Sequence, residues 1–453
     1  MRLRAAAALL LALGLGGCGA PEPPRHLVLI SVDTLRADHL GCYGSPRGLS
    51  PAIDALASRS QRFTRAYAPA PITLPSLAAL LTGRYPDELG VRSNLAVLPE
   101  DVPTLATRLR REGWRTGAVV SNFVLRERTR LDAGFERYDA QLPEVEARRG
   151  TPERTAAPTT DAALAMLREL LAGPEARVFL WVHYQDPHGP YTPPEALRAA
   201  ELGRERLAPD GRRELRVSAS WRGQGAIPSY QYLPPHREAA YYRAGYAGEV
   251  RHLDREVGRL LEGLDAQGVL AHSVVVFTAD HGESLGEDDY WFAHGEQLSD
   301  ASVRVPLLIF VPGLRGATHA RSASLVDVLP TLAARFGFAL AGDLRGVDLL
   351  ARDSGEDERA VFFRTLAGAS RARSGVVQAG YKLIRSPGAA GIEQQLFRLP
   401  DESVDLAGDA PERARALAQR LETGAPGAAD AASEPPLSAA EREALRSLGY
   451  VAD

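Results

Sequence analysis

Three places in the sequence bring together side chains that could act on an anionic ester. The first is Thr73, within Ala70-Pro71-Ile72-Thr73-Leu74-Pro75-Ser76-Leu77. Leu77, Leu80 and Leu81 recur at helical spacing and Gly83 ends the run, so the hydroxyl of Thr73 is expected at the mouth of a helix. Pro75 and Ser76 suit its first turn, where Ser76 can cap. Free N–H groups and the positive end of the helix dipole favour an anion there, although an ordinary capped core helix has the same pattern. The second place is Asp33, directly after the apolar run His26–Val32. The third is Asp280-His281, after Val274–Thr278. Both runs predict buried parallel strands, and ligands in open α/β sheets gather at the carboxyl ends of strands. Asp280 and His281 would offer adjacent oxygen and nitrogen ligands, with Gly282 allowing the sharp turn that aims both. A lone aspartate after a strand is also a common turn residue.

Thr-Leu-Pro-Ser-Leu at 73–77, followed by Leu-Leu-Thr-Gly-Arg-Tyr-Pro at 80–86, resembles the signature of the sulfatase family in the alkaline-phosphatase superfamily. That signature reads Cys/Ser-x-Pro-Ser-Arg and then Leu-Thr-Gly-Arg-x-Pro, and its first residue is oxidised to formylglycine. Here that position is Thr73, and Leu77 replaces the arginine. Threonine has neither a thiol nor a primary alcohol to become the aldehyde. The first strand resembles one that ends in Asp-Asp, yet only Asp33 is kept, beside Thr34. Ser121-Asn122-Phe123-Val124 stands where the family carries Gly-Lys-Trp-His. These linked absences imply a different nucleophile chemistry. Asp280-His281, where sulfatases usually have Asp-Asn, resembles phosphonate-ester hydrolases, threonine-dependent phosphodiesterases and lipid-phosphate transferases.

The resemblance also implies roles for further residues. His188, in Pro187-His188-Gly189-Pro190-Tyr191, matches a loop histidine that contacts the ester. Asn94 stands where relatives place an amide on a non-bridging oxygen. Arg84, of Thr-Gly-Arg, is assigned to substrate binding with them. His294, shortly before Arg304-Val305-Pro306, is implied as the general acid at the leaving-group oxygen. One divalent ion is implied on Asp33, Asp280 and His281, with Thr73 as exchangeable fourth ligand. Such a set suits Mn or Zn better than Ca, with Ca and Mg as the remaining options. His183 and Asp186 lack the spacing of a second metal site.

The implied fold is α/β: a large mixed, mostly parallel sheet flanked by helices, with a small antiparallel C-terminal subdomain. The implied function is metal-dependent hydrolysis of sulfate or phosphate/phosphonate esters with Thr73 as nucleophile. A phosphoryl transferase on a cell-envelope glycan or lipid is one alternative. A degenerate lipoprotein that only binds anions or glycans is another. Sulfate left on threonine lacks the hemiacetal route open to formylglycine, whereas phosphoryl-threonine can be released by a second in-line displacement. Phosphate or phosphonate turnover is therefore expected to exceed sulfate turnover.

The elements that must position these residues fit within 453 residues, enough for one large α/β domain and a small one. With 45% hydrophobic and 24% charged residues the chain reads as globular. A net charge of -4 and a pI near 6.3 give no reason to expect nucleic acid as a partner. Residues 1–17 read as a signal peptide, with Met1-Arg2-Leu3-Arg4 ahead of an apolar stretch too short to span a bilayer. Leu15-Gly16-Gly17-Cys18 resembles a bacterial lipobox, which implies lipidation of Cys18 and anchoring in the cell envelope, facing the periplasm or the outside. Residues 18–25 form a tether and 26–337 the catalytic domain. Residues 338–423 form the small subdomain, with short strand candidates such as Tyr381–Ile384. A Gly/Ala/Pro linker and a closing helix occupy 424–453. With Cys18 lipidated, Cys42 has no partner, which excludes a disulfide framework.

Overall fold

Unbroken apolar runs make the central strands. The computed structural model describes residues 24–146, 151–173, 175–340, 342, 344–351, 359–366 and 371–447; Cys18 and the apolar leader lie outside them. In chain order the strands of the main sheet are β1 (His26–Val32), β2 (Gln61–Tyr67), β3 (Arg115–Val120), β4 (Arg137–Asp139), β5 (Val178–Tyr184), β6 (Ser273–Ala279), β7 (Arg304–Phe310) and β8 (Ala317–Ser324). β1, β5 and β6 are buried at every residue, as strands covered on both faces must be. The order across the sheet is β8-β2-β7-β6-β1-β5-β3-β4. β7 alone is reversed, pairing antiparallel with β6 and β2, and all the other pairings are parallel. The expected mixed, mostly parallel sheet is thus present.

Helices cover both faces. α1 (Thr73–Thr82) is buried at all its residues, including Leu77 at the position of the missing arginine, which packs into the main core. α2 (Ala156–Leu170) and the long α3 (Ala239–Ala266) each bury one stripe; on α3 it runs through Val250, Leu253, Val257, Leu260 and Leu264, the spacing of an amphipathic helix. No described helix is long and apolar enough to cross a membrane.

A separate antiparallel sheet, β9 (Val361–Arg364), β10 (Ser374–Gln378), β11 (Tyr381–Gly388) and β12 (Gly391–Arg398), forms the expected C-terminal subdomain. Val376, Leu383 and Leu396 pack there on Leu417 and Leu421 of a helix over Pro411–Gly424. The stretch expected to be a linker is a strap. Its backbone bonds to the loop after α1 at Ala429 N to Asp87 O, Ala432 N to Gly90 O and Val97 N to Ser433 O, each 2.9 Å. Gly90 is left-handed at φ +69°, and a Cβ there would lie 2.0 Å from Asp430 O. The closing helix, Ala439–Ser447, buries Leu445 in the main core.

Candidate active site

Register does most of the assembly. Val32 of β1 pairs with Ala279 of β6, so the residues that follow, Asp33 and Asp280, leave neighbouring strands side by side. Both are fully buried, as are His281 and Thr73. His281 Nδ1 donates to Gly282 O at 2.9 Å, which turns Nε2 inward as a lone-pair donor. That nitrogen lies 3.9 Å from Asp33 Oδ1, 3.6 Å from Asp280 Oδ2 and 3.5 Å from Thr73 Oγ1. Gly282 is required for the turn, since a Cβ there would meet Ala301 O at 2.0 Å.

The remaining oxygens of the two carboxylates are committed. Asp280 Oδ1 accepts from the backbone N–H of His281 at 2.6 Å and of Thr34 at 3.1 Å. Thr34 takes a left-handed φ of 53° to offer that N–H, a conformation uncommon for a β-branched residue. Asp33 Oδ2 accepts from Asn122 Nδ2, while Asp33 Oδ1 and Asp280 Oδ2 have no hydrogen-bond partner.

Two orphaned, buried carboxylate oxygens facing an imidazole lone pair fit a divalent ion. Ligands about 2.0–2.2 Å from one ion stand roughly 3–3.6 Å apart, a range that holds the 3.5 and 3.6 Å spacings and falls just short of the 3.9 Å one. Asp33, Asp280 and His281 are the grouping of at least three such ligands among the described residues; His183 and Asp186 add no second one. Electrostatics point the same way. Burial pushes Asp280 well above the usual carboxylate range, and the neighbouring Asp33 adds to the shift. Burial also works against the charge of Asp33, but His188, His183 and His281 outweigh it and hold the group below its usual value. Burial, with His294 nearby, lowers His281 to about 3, so the ring is neutral at neutral pH, the form that ligates metal.

Thr73 opens α1, and the details of that turn differ from the sequence reading. Ser76 does not cap the helix; its hydroxyl donates to Asp280 O at 2.6 Å, tying α1 to the end of β6. The capping acceptor is Asn94, whose Oδ1 takes the Leu74 N–H at 2.9 Å. Asn94 therefore adjoins Thr73, with its NH2 end left as the donor. Arg84 is not brought to the site. It follows the far end of α1, about 15 Å along the axis at 1.5 Å per residue, with its guanidinium beside Gly342. A rigid helix separates the two halves of the signature.

His188 and His294 close the other side. Their ring centroids are 5.3 Å apart, and that of His294 is 4.6 Å from His281. His188 Nδ1 bonds Gly189 O at 2.9 Å. Asn122, Glu283 and Tyr191, near the site, escaped the sequence reading of roles, and His183 was weighed there only for a second metal. Asn122 and His183 flank Asp33, with His183 Nε2 3.9 Å from Asp33 Oδ2. Glu283, fully buried, accepts from His294 Nδ1 at 3.1 Å and from Tyr191 OH at 2.9 Å. Burial disfavours charge on His294, but Glu283 overrides it and raises the pKa of the ring. The position of Glu283 in the Asp280-His281-Gly282-Glu283 turn was the available signal.

Comparison with known proteins settles the lineage. Residues 25–338 match the model of the sulfatase family. The chain belongs to the sulfatase family. Among curated relatives, bovine (Bos taurus) arylsulfatase A is 31% identical over 356 residues, covering 74% of this chain and 68% of that protein. An ulvan-active sulfatase of Formosa agariphila is 28% identical over 350 residues, covering 72% of this chain and 65% of its own length. The chain thus spans about two-thirds of these sulfatases. The fold is shared with a protein solved with its substrate D-glucosamine-2-N,6-O-disulfate, at TM-score 0.70 and 19% identity, covering 89% of this chain and 97% of that one. The phosphonate monoester hydrolase of Agrobacterium radiobacter superposes at TM-score 0.67 and 22% identity, covering 88% and 95%. This member of the sulfatase family thus shares its architecture with proteins named for sulfate and for phosphonate esters.

Proposed function

We propose that this chain hydrolyses sulfate or phosphate/phosphonate esters with Thr73 as nucleophile and one divalent ion on Asp33, Asp280 and His281. The observation that carries the reading is the convergence of Thr73 Oγ1 on His281 Nε2 beside two unpartnered carboxylate oxygens. When bound, the ion supplies charge neutralisation and a lowered hydroxyl pKa. The chain's own residues do the rest. The N-terminus of α1 turns the positive end of its dipole toward an anionic ester, although the Leu74 N–H is taken by Asn94, Pro75 has none and the Ser76 N–H goes to Ile72 O. Asn94 and His188 orient the ester oxygens, and His294, whose protonated form Glu283 favours, delivers a proton to the departing oxygen. Phosphorus esters are expected to be better substrates than sulfate esters, because threonine offers sulfate no hemiacetal exit. Mn or Zn suits the mixed oxygen and nitrogen set. A sulfated or phosphorylated glycan or lipid is the class of substrate this reading takes, in keeping with the sulfated sugar bound by a structural neighbour.

Screening metal-loaded protein with aryl sulfate, phosphate mono- and diesters and a phosphonate tests the reaction. Faster sulfate turnover than any phosphorus ester would overturn the ranking while leaving the site in place. Elemental analysis tests the ion directly: Asp280→Ala combined with His281→Ala is expected to lose the roughly one equivalent held by the parent, because one ligand cannot replace three. Retention of the full equivalent would refute the assigned ligands.

Location is part of the proposal. The Leu-Gly-Gly-Cys segment supports a lipid anchor on Cys18, with the enzyme facing the periplasm or the outside. Cys18→Ala is expected to abolish lipid labelling and shift the protein out of the membrane fraction; unchanged fractionation and labelling would remove the anchor.

A further inference from the structure

A cavity of about 270 Å³ adjoins the site on the far side of His188, which lines it together with Phe123, Gln185, Asp186, Pro193 and Glu249. Its wall holds two acceptors without a hydrogen-bond partner, Asp186 Oδ2 and Gln185 Oε1. Asp186 is only 8% exposed, and Glu249, projecting from α3, only 4%. Burial raises the proton affinity of both carboxyls, and on Glu249 the charge of Asp186 adds to it. Two basic side chains line the wall: Arg154 is committed to Asp139 at 2.9 Å, Val120 O at 2.8 Å and Ser121 at 3.2 Å, and His252, close enough to act on the charge of Asp186, makes no hydrogen bond to its Oδ2.

A buried carboxylate oxygen with no donor is costly. The group that would satisfy this wall must bring several donors and a positive charge. A hydroxyl brings one donor and needs an acceptor role filled in return, whereas an ammonium brings three donors and no acceptor. Phe123 and Pro193 give the carbon chain that carries it an apolar wall.

We propose that this cavity is a binding subsite for a protonated amine on the alcohol portion of the substrate, held by Asp186 and Glu249 with Gln185 as a further acceptor. The assignment to the substrate's alcohol portion rests on the ester-hydrolase reading; the amine site itself does not.

The test is calorimetric, on the metal-loaded full chain. The probes are 2-aminoethyl phosphate against n-propyl phosphate, and 3-aminopropyl phosphate against n-butyl phosphate, pairs alike in size. At least one amine is expected to bind about tenfold more tightly than its neutral counterpart, the range of a charge-assisted hydrogen bond. Glu249→Gln and Asp186→Asn are each expected to reduce that ratio below about twofold. Because Asp186 also lies near the start of α2, Glu249→Gln is the cleaner variant, and its binding of the alkyl phosphates reports an intact fold. Ratios near one in the parent protein, or a preference that survives both substitutions, would overturn the subsite. Should none of the four phosphates bind, the ester reading fails instead, and n-propylamine alone decides the subsite. Its binding should then be present in the parent and lost in Glu249→Gln; equal behaviour of the two would overturn the proposal.

Discussion

Replacing Thr73 by alanine is expected to lower ester turnover by at least about 10⁴-fold, the scale on which removal of a nucleophile acts. The expected change in stability is small, within about 1–2 kcal/mol for one buried hydroxyl and methyl group. The hydroxyl makes no short hydrogen bond that the fold needs; its near contact is His281 Nε2 at 3.5 Å. Thr73→Ser keeps the oxygen and should retain part of the rate, with loss arising from the freer χ1 of serine. Initial rates on the best phosphorus ester, alongside thermal melts, check both statements. Wild-type rates in Thr73→Ala would end the covalent mechanism. A parent protein that turned over none of the esters while binding sulfated glycans tightly would replace it with a binding function.

The second large effect concerns the proton delivered to the leaving oxygen. His294→Ala is expected to slow an alkyl ester by roughly 10²–10⁴-fold, the usual contribution of a general acid. The same variant should slow a 4-nitrophenyl ester far less, because 4-nitrophenolate departs without a proton. Glu283→Gln should show the same selectivity at smaller amplitude. Its side chain can still accept from His294 Nδ1, yet it no longer supplies the negative charge that favours the imidazolium. Comparing the two esters in parent and variants separates this from simple loss of structure, which would slow both alike. Equal losses on the two esters would remove His294 from the acid role.

Much of this site was readable because its ligands sit at the ends of strongly apolar strands. Val32 and Ala279 finish such runs, so the placement of Asp33 and Asp280 follows from where the apolar pattern stops. Arg84 shows the limit: the motif that contains it is continuous in sequence, but a straight helix carries its two ends apart. Asn94 was legible as a neighbour of Thr73 but not as the cap of α1, since side-chain direction in a loop has no periodicity to read. Glu283 and Asn122 were seen as letters in known motifs without roles, because their work is to orient His294 and Asp33. That work is visible only when separate loops are superposed in space. The region from 424 to 436 misled for a simpler reason. Its Gly, Ala and Pro content describes a flexible linker, whereas tertiary contacts fix it as ordered backbone.

Most hydrogen bonds to that strap use its main-chain atoms, with a side-chain bond from Ser93 to Glu434 beside them. Backbone N–H and C=O groups join it to Asp87, Gly90 and Val97, and Arg92 and Arg128 add contacts to the carbonyls of Ala429 and Pro435. Almost every residue type carries those atoms, so most substitutions along the strap leave its grip intact. Removal of a residue does not, since each bond would then meet the wrong partner and the loop bearing Asn94 would be pulled with it. In evolutionary terms the segment is free to change its letters but not its length. The family match, which ends at residue 338, thus stops short of a piece of chain that braces the loop beside Thr73.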